Sequence, residues 1–178
     1  MRTNHSPFDE SSSEPGGSGM SFTVHFERPS FAEIAATIRR IVPVAGEPDF
    51  SLTPDSIHSF MAKGGFDLLW QRIPDWESYE WGKREISDEE FVGLLFSPQP
   101  PSDDEMVVVV TDECFCGSEH RGFSFRFRDL LTFAREVYPH VVRRPMDFFQ
   151  PSDTIFIAEQ SRLLVMLHHE GQQTQFTG

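Results

Sequence analysis

Five apolar residues in a row, Leu163, Leu164, Val165, Met166 and Leu167, constrain this chain more than any other stretch. An unbroken run of this length reads as a strand covered on both faces, and such a strand belongs in the interior of its sheet. Thr154, Ile155, Phe156, Ile157 and Ala158 form a second β-rich run just before it, with Glu159, Gln160 and Ser161 as a polar turn between them. With Arg162 opening the return, the two runs are predicted to pair as a C-terminal β-hairpin that carries the core. His168, His169 and Glu170 finish the second strand, and Gly171 lets the chain depart from it.

The rest of the chain supplies elements to pack around that hairpin. Phe22, Val24 and Phe26 alternate with Thr23, His25 and Glu27, which predicts a strand with one buried face. Ser30 and Glu33 have capping-box spacing, and Phe31, Ile34, Ala35, Ile38 and Ile41 form the apolar stripe of the helix they open. Thr53 before Pro54 starts a second helix, with Ile57, Phe60 and Met61 inward and Gly64 and Gly65 as its stop. Residues 66–70 read as a strand, and Ser87 with Glu90 opens a short helix carrying Phe91, Leu94 and Leu95. Met106 to Val110 is another interior strand. Phe123, Phe125 and Phe127 alternate inward against Ser124, Arg126 and Arg128. Asp129 is the expected cap of a helix with Leu130, Phe133, Ala134 and Val137 buried, and Pro139 is its expected stop. The order predicts an α+β fold over residues 20–178: one domain, a mixed sheet of about six strands and about four helices. Residues 1–19, rich in Ser, Gly and Pro, read as a disordered tail or linker.

Composition narrows function by exclusion. A domain of about 150 residues buries roughly 70% of its unfolded surface, so a true core is expected, and 18 Phe against two Tyr fill it with large aromatic volume. No apolar stretch approaches the ~18 residues of a membrane span, and the N-terminus lacks the apolar core of a signal peptide. A cytoplasmic protein with no membrane partner is therefore expected. Cys114 and Cys116 are too close in sequence to link distant parts of a fold, which suits reduced thiols. The net charge of −13 opposes binding to nucleic acid through phosphates and favours a basic partner.

Three constellations contain residues able to do chemistry. Cys114 and Cys116, with His120 nearby and His168 and His169 elsewhere, could assemble a zinc site, but the cysteines lack the spacing of a zinc knuckle, so packing on one strand face is the simpler explanation and no metal is expected. His168 and Glu170 would share a face at a strand end, but no metalloprotease helix, nucleophile elbow or phosphate loop accompanies them. The third spans Asp75 to Glu90, where Asp75, Glu77, Glu80, Glu85, Asp88, Glu89 and Glu90 stand against Lys83 and Arg84, interleaved with Trp76, Tyr79 and Trp81. Carboxylates mimic phosphate charge and aromatic rings provide rigid contact area, which is the chemistry of an interface hot spot. A loop whose rings fold onto the core is the competing explanation. Asp88, Glu89 and Glu90 also suit a helix N-terminus.

The ending, residues 148–158 followed by 163–171 (Phe148, Phe149, Pro151, Asp153 and the hairpin through His168, His169, Glu170 and Gly171), resembles the C-terminal hairpins of immunity proteins from bacterial polymorphic-toxin and contact-dependent inhibition systems. The resemblance covers about a sixth of the domain and carries no residue assignments. It implies a non-enzymatic protein without cofactors that binds and neutralises one cognate toxin domain. The charge directs the expectation to a basic nuclease, held through Asp75, Trp76, Glu77, Tyr79, Glu80, Trp81, Asp88, Glu89 and Glu90. An acidic secretion chaperone or adaptor is the alternative, and a small metal-dependent hydrolase using the His168–Glu170 end is a third.

Overall fold

The computed structural model describes residues 22–44, 51–79, 83, 85–116, 120–142, 148–149 and 153–178, with the backbone alone at 115–116. The expected tail at 1–19 lies outside these residues. Among them, α1 (Phe31–Ile41) and α2 (Pro54–Lys63) come first, followed by the two-residue β1 (Gln71–Arg72), the single turn α3 (Trp76–Tyr79) and α4 (Asp88–Leu95). β2 (Met106–Thr111), α5 (Asp112–Cys116) and β3 (Phe123–Arg126) lead into a helical stretch. That stretch begins as a 3-10 turn at Phe127–Asp129 and continues through α6 (Leu130–Thr132), a π-turn at Phe133–Val137 and α7 (Tyr138–Val141). β4 (Thr154–Ala158), β5 (Leu163–His168) and β6 (Gln172–Thr177) complete the chain.

The fold is α+β around a single six-stranded sheet in the order β1-β6-β5-β4-β2-β3. Every pairing is antiparallel, where the sequence suggested a mixed sheet. The hairpin is where the sequence placed it, and β5 is interior, flanked by β4 and β6. Register sorts the side chains into two faces. Val107, Val109, Phe123, Phe125, Phe156, Val165 and Leu167 share one face. There Phe125 stacks on Phe133 at 4.3 Å, and Phe96 and Phe148 meet Phe156 edge-on at 5.2 and 6.2 Å. The other face presents Val110, Ile155, Ile157, Leu164 and Met166 to the buried Ile34, Ile38 and Ile41 of α1 and to Ile57, Phe60 and Met61 of α2. Helices on both sides explain why antiparallel strands carry unbroken apolar runs: β4 is buried along its whole length, as are Leu163 to Leu167 of β5.

Local signals explain the helices. The Ser30/Glu33 and Ser87/Glu90 capping boxes are both formed, and the Thr53 hydroxyl accepts from the Ser56 N–H. Asp129 differs: it lies inside the 3-10 turn and its side chain caps nothing. Pro139 does not stop its helix either. A π-turn precedes it, with the Tyr138 N–H reaching back five residues to the Phe133 carbonyl, and the widened turn makes room for a residue that lacks an N–H.

Three strand expectations are corrected. Residues 22–27 keep their in–out alternation but form no strand. Glu27 exchanges both backbone bonds with Ser124 (2.8 and 3.0 Å), and Pro29 has no N–H with which to extend a ladder. This contact buries Ser124, which alternation had placed outward. Residues 66–70 are irregular, with Gln71 and Arg72 alone paired to β6. The polar run Gln172–Thr177, with Thr174 and Phe176 inward, is a full strand that the sequence reading left unassigned.

Candidate functional site

The stretch from Asp75 to Glu90 begins where the Ile73 N–H donates to the Gly171 carbonyl at 2.9 Å, fixing the chain beside the turn before β6. Asp75 turns it through a positive φ of 55°, which Asp tolerates better than most residues, and α3 follows. Residues three apart on a helix share a side, so Trp76 and Tyr79 enter the core together, at 3% and 0% exposure. Tyr79 stacks on Phe91 with centroids 3.9 Å apart and planes 4° from parallel, and Trp76 lies 5.9 Å from the same ring. This corrects the expected aromatic surface: Trp76 and Tyr79 are core residues. Glu80 and Trp81 lie outside the described residues.

The acids of this stretch behave differently. Glu77 pairs with Arg72 at 2.5 Å, and that guanidinium holds its carboxyl below the usual range. Asp88 accepts from the Tyr79 hydroxyl at 3.0 Å and from Arg135 at 2.9 Å. Glu89 meets Arg135 at 3.0 Å, and its carboxyl is also lowered, first by its own backbone N–H and then by Arg135. Glu90 accepts the Ser87 N–H of its capping box at 2.7 Å. Asp75, Glu77, Glu85, Glu89 and Glu90 remain exposed. The result is an acid-bearing rim pinned from beneath by buried rings. The acidic 103–105 loop, by contrast, is knit into the fold: Asp104 bridges Arg126 and Arg128, while buried Glu105 accepts from both the backbone N–H and the hydroxyl of Ser161.

Cys114 sits in α5 rather than on a strand, because Thr111 ends β2 and the chain coils immediately. Its buried sulfur accepts the Thr111 N–H at 3.4 Å, and burial raises the thiol's pKa, which suppresses the reactive thiolate. The Cys116 side chain lies outside the described residues. The Thr111 hydroxyl also meets the Tyr138 hydroxyl at 2.9 Å, and desolvation pushes that phenol well above its ordinary value.

A second polar centre forms at the same end of the sheet as Thr111. Asp153 immediately precedes β4, and its backbone N–H donates to Asp112 at 3.1 Å. One oxygen of its carboxylate is 2.8 Å from both the backbone nitrogen and the ring Nδ1 of His169. His168 stacks on His169 with centroids 4.2 Å apart, and its Nδ1 accepts the Glu170 N–H at 3.3 Å. On the other side Trp70 meets His168 edge-on at 6.0 Å and stacks on His58 at 5.5 Å. Asp112, partly buried, has its pKa raised by desolvation and by Asp153, against the lowering influence of the Asp153 N–H. The sequence reading had singled out His168 and Glu170. Glu170 stands 4.0 Å from His168, while His169 and Asp153 make the short contacts.

No family model, curated protein or solved structure matches the chain. Fold and site together define a class: an α+β domain with one antiparallel sheet between two helical layers, an acidic rim on its 75–90 segment and a histidine–carboxylate cluster at one sheet end. No helix among the described residues is long and apolar enough to cross a membrane.

Proposed function

We propose that this chain is a non-enzymatic immunity protein of a bacterial polymorphic-toxin system, acting in the cytoplasm to bind and block a basic toxin domain of the nuclease class. The observation that carries this reading is the outward display of Asp75, Glu77, Glu85, Glu89 and Glu90 on a segment held by buried Trp76 and Tyr79, in a chain of net charge −13. A groove that binds nucleic acid is lined with cations, and exposed carboxylates beside an anchored helical turn are complementary to it. The ion pairs to Arg72 and Arg135 do not oppose this role. Such exposed pairs contribute little to folding, so a partner's Lys or Arg can replace them at small cost. Binding is then steered by charge over the rim rather than anchored by Trp76 and Tyr79, which are unavailable to a partner.

The test is co-purification of the full chain with the product of the adjacent gene, followed by an assay of that product's nuclease activity with and without the chain. A stoichiometric complex that abolishes cleavage is expected. A catalytically unaffected neighbour, or a stable homodimer that ignores it, would instead favour the chaperone or adaptor alternative.

A further inference from the structure

The sequence reading expects no metal site and keeps a metal-dependent hydrolase at the His168–Glu170 end only as its third alternative, but the fold brings Asp153 to the adjacent His168 and His169, a neighbour that local spacing does not connect to them. We propose that Asp153, His168 and His169 form a binding site for a divalent transition cation of the zinc class, clamping the start of β4 to the turn that follows β5. One potential ligand atom from each residue lies within 4.8 Å of the others. Zinc binds imidazole nitrogen and carboxylate oxygen at about 2.0–2.2 Å, so donors around one ion stand roughly 3.4 Å apart. The Asp153–His169 pair, at 2.8 Å, is already closer than that. His168 completes the group, its ring stacked on His169 at 4.2 Å and its ligand atom inside the same 4.8 Å.

The placement is fixed by backbone rather than by flexible loops. β4 and β5 pair from Thr154↔Leu167 to Ala158↔Leu163, so the next position along the ladder sets Asp153 opposite His168. The turn carrying His169 is closed by the Gly171 N–H on the His168 carbonyl at 2.9 Å. The site is also accessible: the Asp153 and His168 side chains are 21% exposed and that of His169 is 47% exposed. Two imidazoles and one carboxylate suit zinc-like cations better than calcium or magnesium, which prefer oxygen alone. Three protein ligands leave a coordination position for water. Asp112 and Glu170 add negative charge nearby, and Arg72 donates to the Glu170 carbonyl and is engaged by Glu77.

Equilibrium dialysis of the full chain against zinc chloride at neutral pH, with no other ligand, tests the site. Saturable binding of a single zinc per chain is expected. Asp153→Asn, His168→Ala and His169→Ala should each weaken it at least about tenfold, while Cys114→Ser with Cys116→Ser leaves it intact. Nuclear magnetic resonance of the wild-type imidazoles during the same titration keeps the test decisive if a variant fails to fold: His168 and His169 should shift together while His25, His58 and His140 stay in place. Absence of saturable binding, zinc that follows the cysteines, or shifts spread over all the histidines would overturn the proposal.

Discussion

The 75–90 segment and the sheet end at Asp153 are both mixtures of rings and charged groups, and they arrange them in opposite ways. In the first, the rings turn inward and the acids outward, where Arg72 and Arg135 meet them. In the second, polar groups from three strand ends turn toward one another, and Asp153 and His169 share the shortest contact. A helical turn separates its residues onto two sides, whereas adjacent antiparallel strand ends bring theirs together. Charge that is spread outward suits a large complementary surface, and donors that converge suit a single small cation.

The strongest way to break this comparison is to attack the aromatic layer. Trp76→Ala should cost about 3–5 kcal/mol of stability, as for other large aromatic truncations in a core, and would be seen in thermal or denaturant unfolding. Gly171→Ala should approach the same loss, about 3 kcal/mol or more, because Gly171 has a φ of 77° and an added Cβ would lie 2.3 Å from the Trp76 ring. If Trp76→Ala melts like wild type, the ring is not part of the core and the inward assignment fails.

Asp153 was hidden from the sequence reading by a single residue of register. Ending the β4–β5 turn at Ser161 would set Arg162 opposite Ala158 and Asp153 opposite Leu167. The actual turn includes Arg162, held at a positive φ of 52° with its guanidinium on the Ile41 carbonyl, and this moves His168 into place. Trp76 and Tyr79 are legible as a core pair, since spacing three apart is the mark of one helical side. The interior strands, α1, α2 and α4 and their caps could be read because burial on both sheet faces and capping leave local patterns. β6 could not, because its Gln-rich run owes its place to pairing with β5 and not to its own hydrophobicity.

Effects of intermediate size sharpen the contrast between buried and exposed carboxylates. Glu105→Ala should cost about 1–2 kcal/mol, because the Ser161 N–H and hydroxyl would lose their acceptor, although exposed Ser161 can turn to water. Tyr79→Phe should cost about 1 kcal/mol by removing the hydroxyl bond to Asp88 while keeping the stack on Phe91. Arg135→Ala should shift the melting midpoint by only about 1–3 °C, since its partners lie near the surface. The small benefit of Arg135 has a defined pH window. Glu89 titrates below its ordinary 4.5 in the folded protein, so the pair's stabilisation is present above that value and is lost as pH falls through the lowered one. Unfolding of wild type and Arg135→Ala should therefore converge in acid.

The most direct test of the central claim is the association rate with the basic toxin domain proposed as partner, measured against ionic strength for wild type and for Glu77→Lys combined with Glu89→Lys. Steering by exposed charge is screened over about 10 Å at 0.1 M salt. The double reversal should slow association by about tenfold or more at low salt, should converge with wild type at high salt, and should leave unfolding nearly unchanged. Equal rates for both proteins at every salt concentration would contradict the account and place the binding surface away from the 75–90 rim.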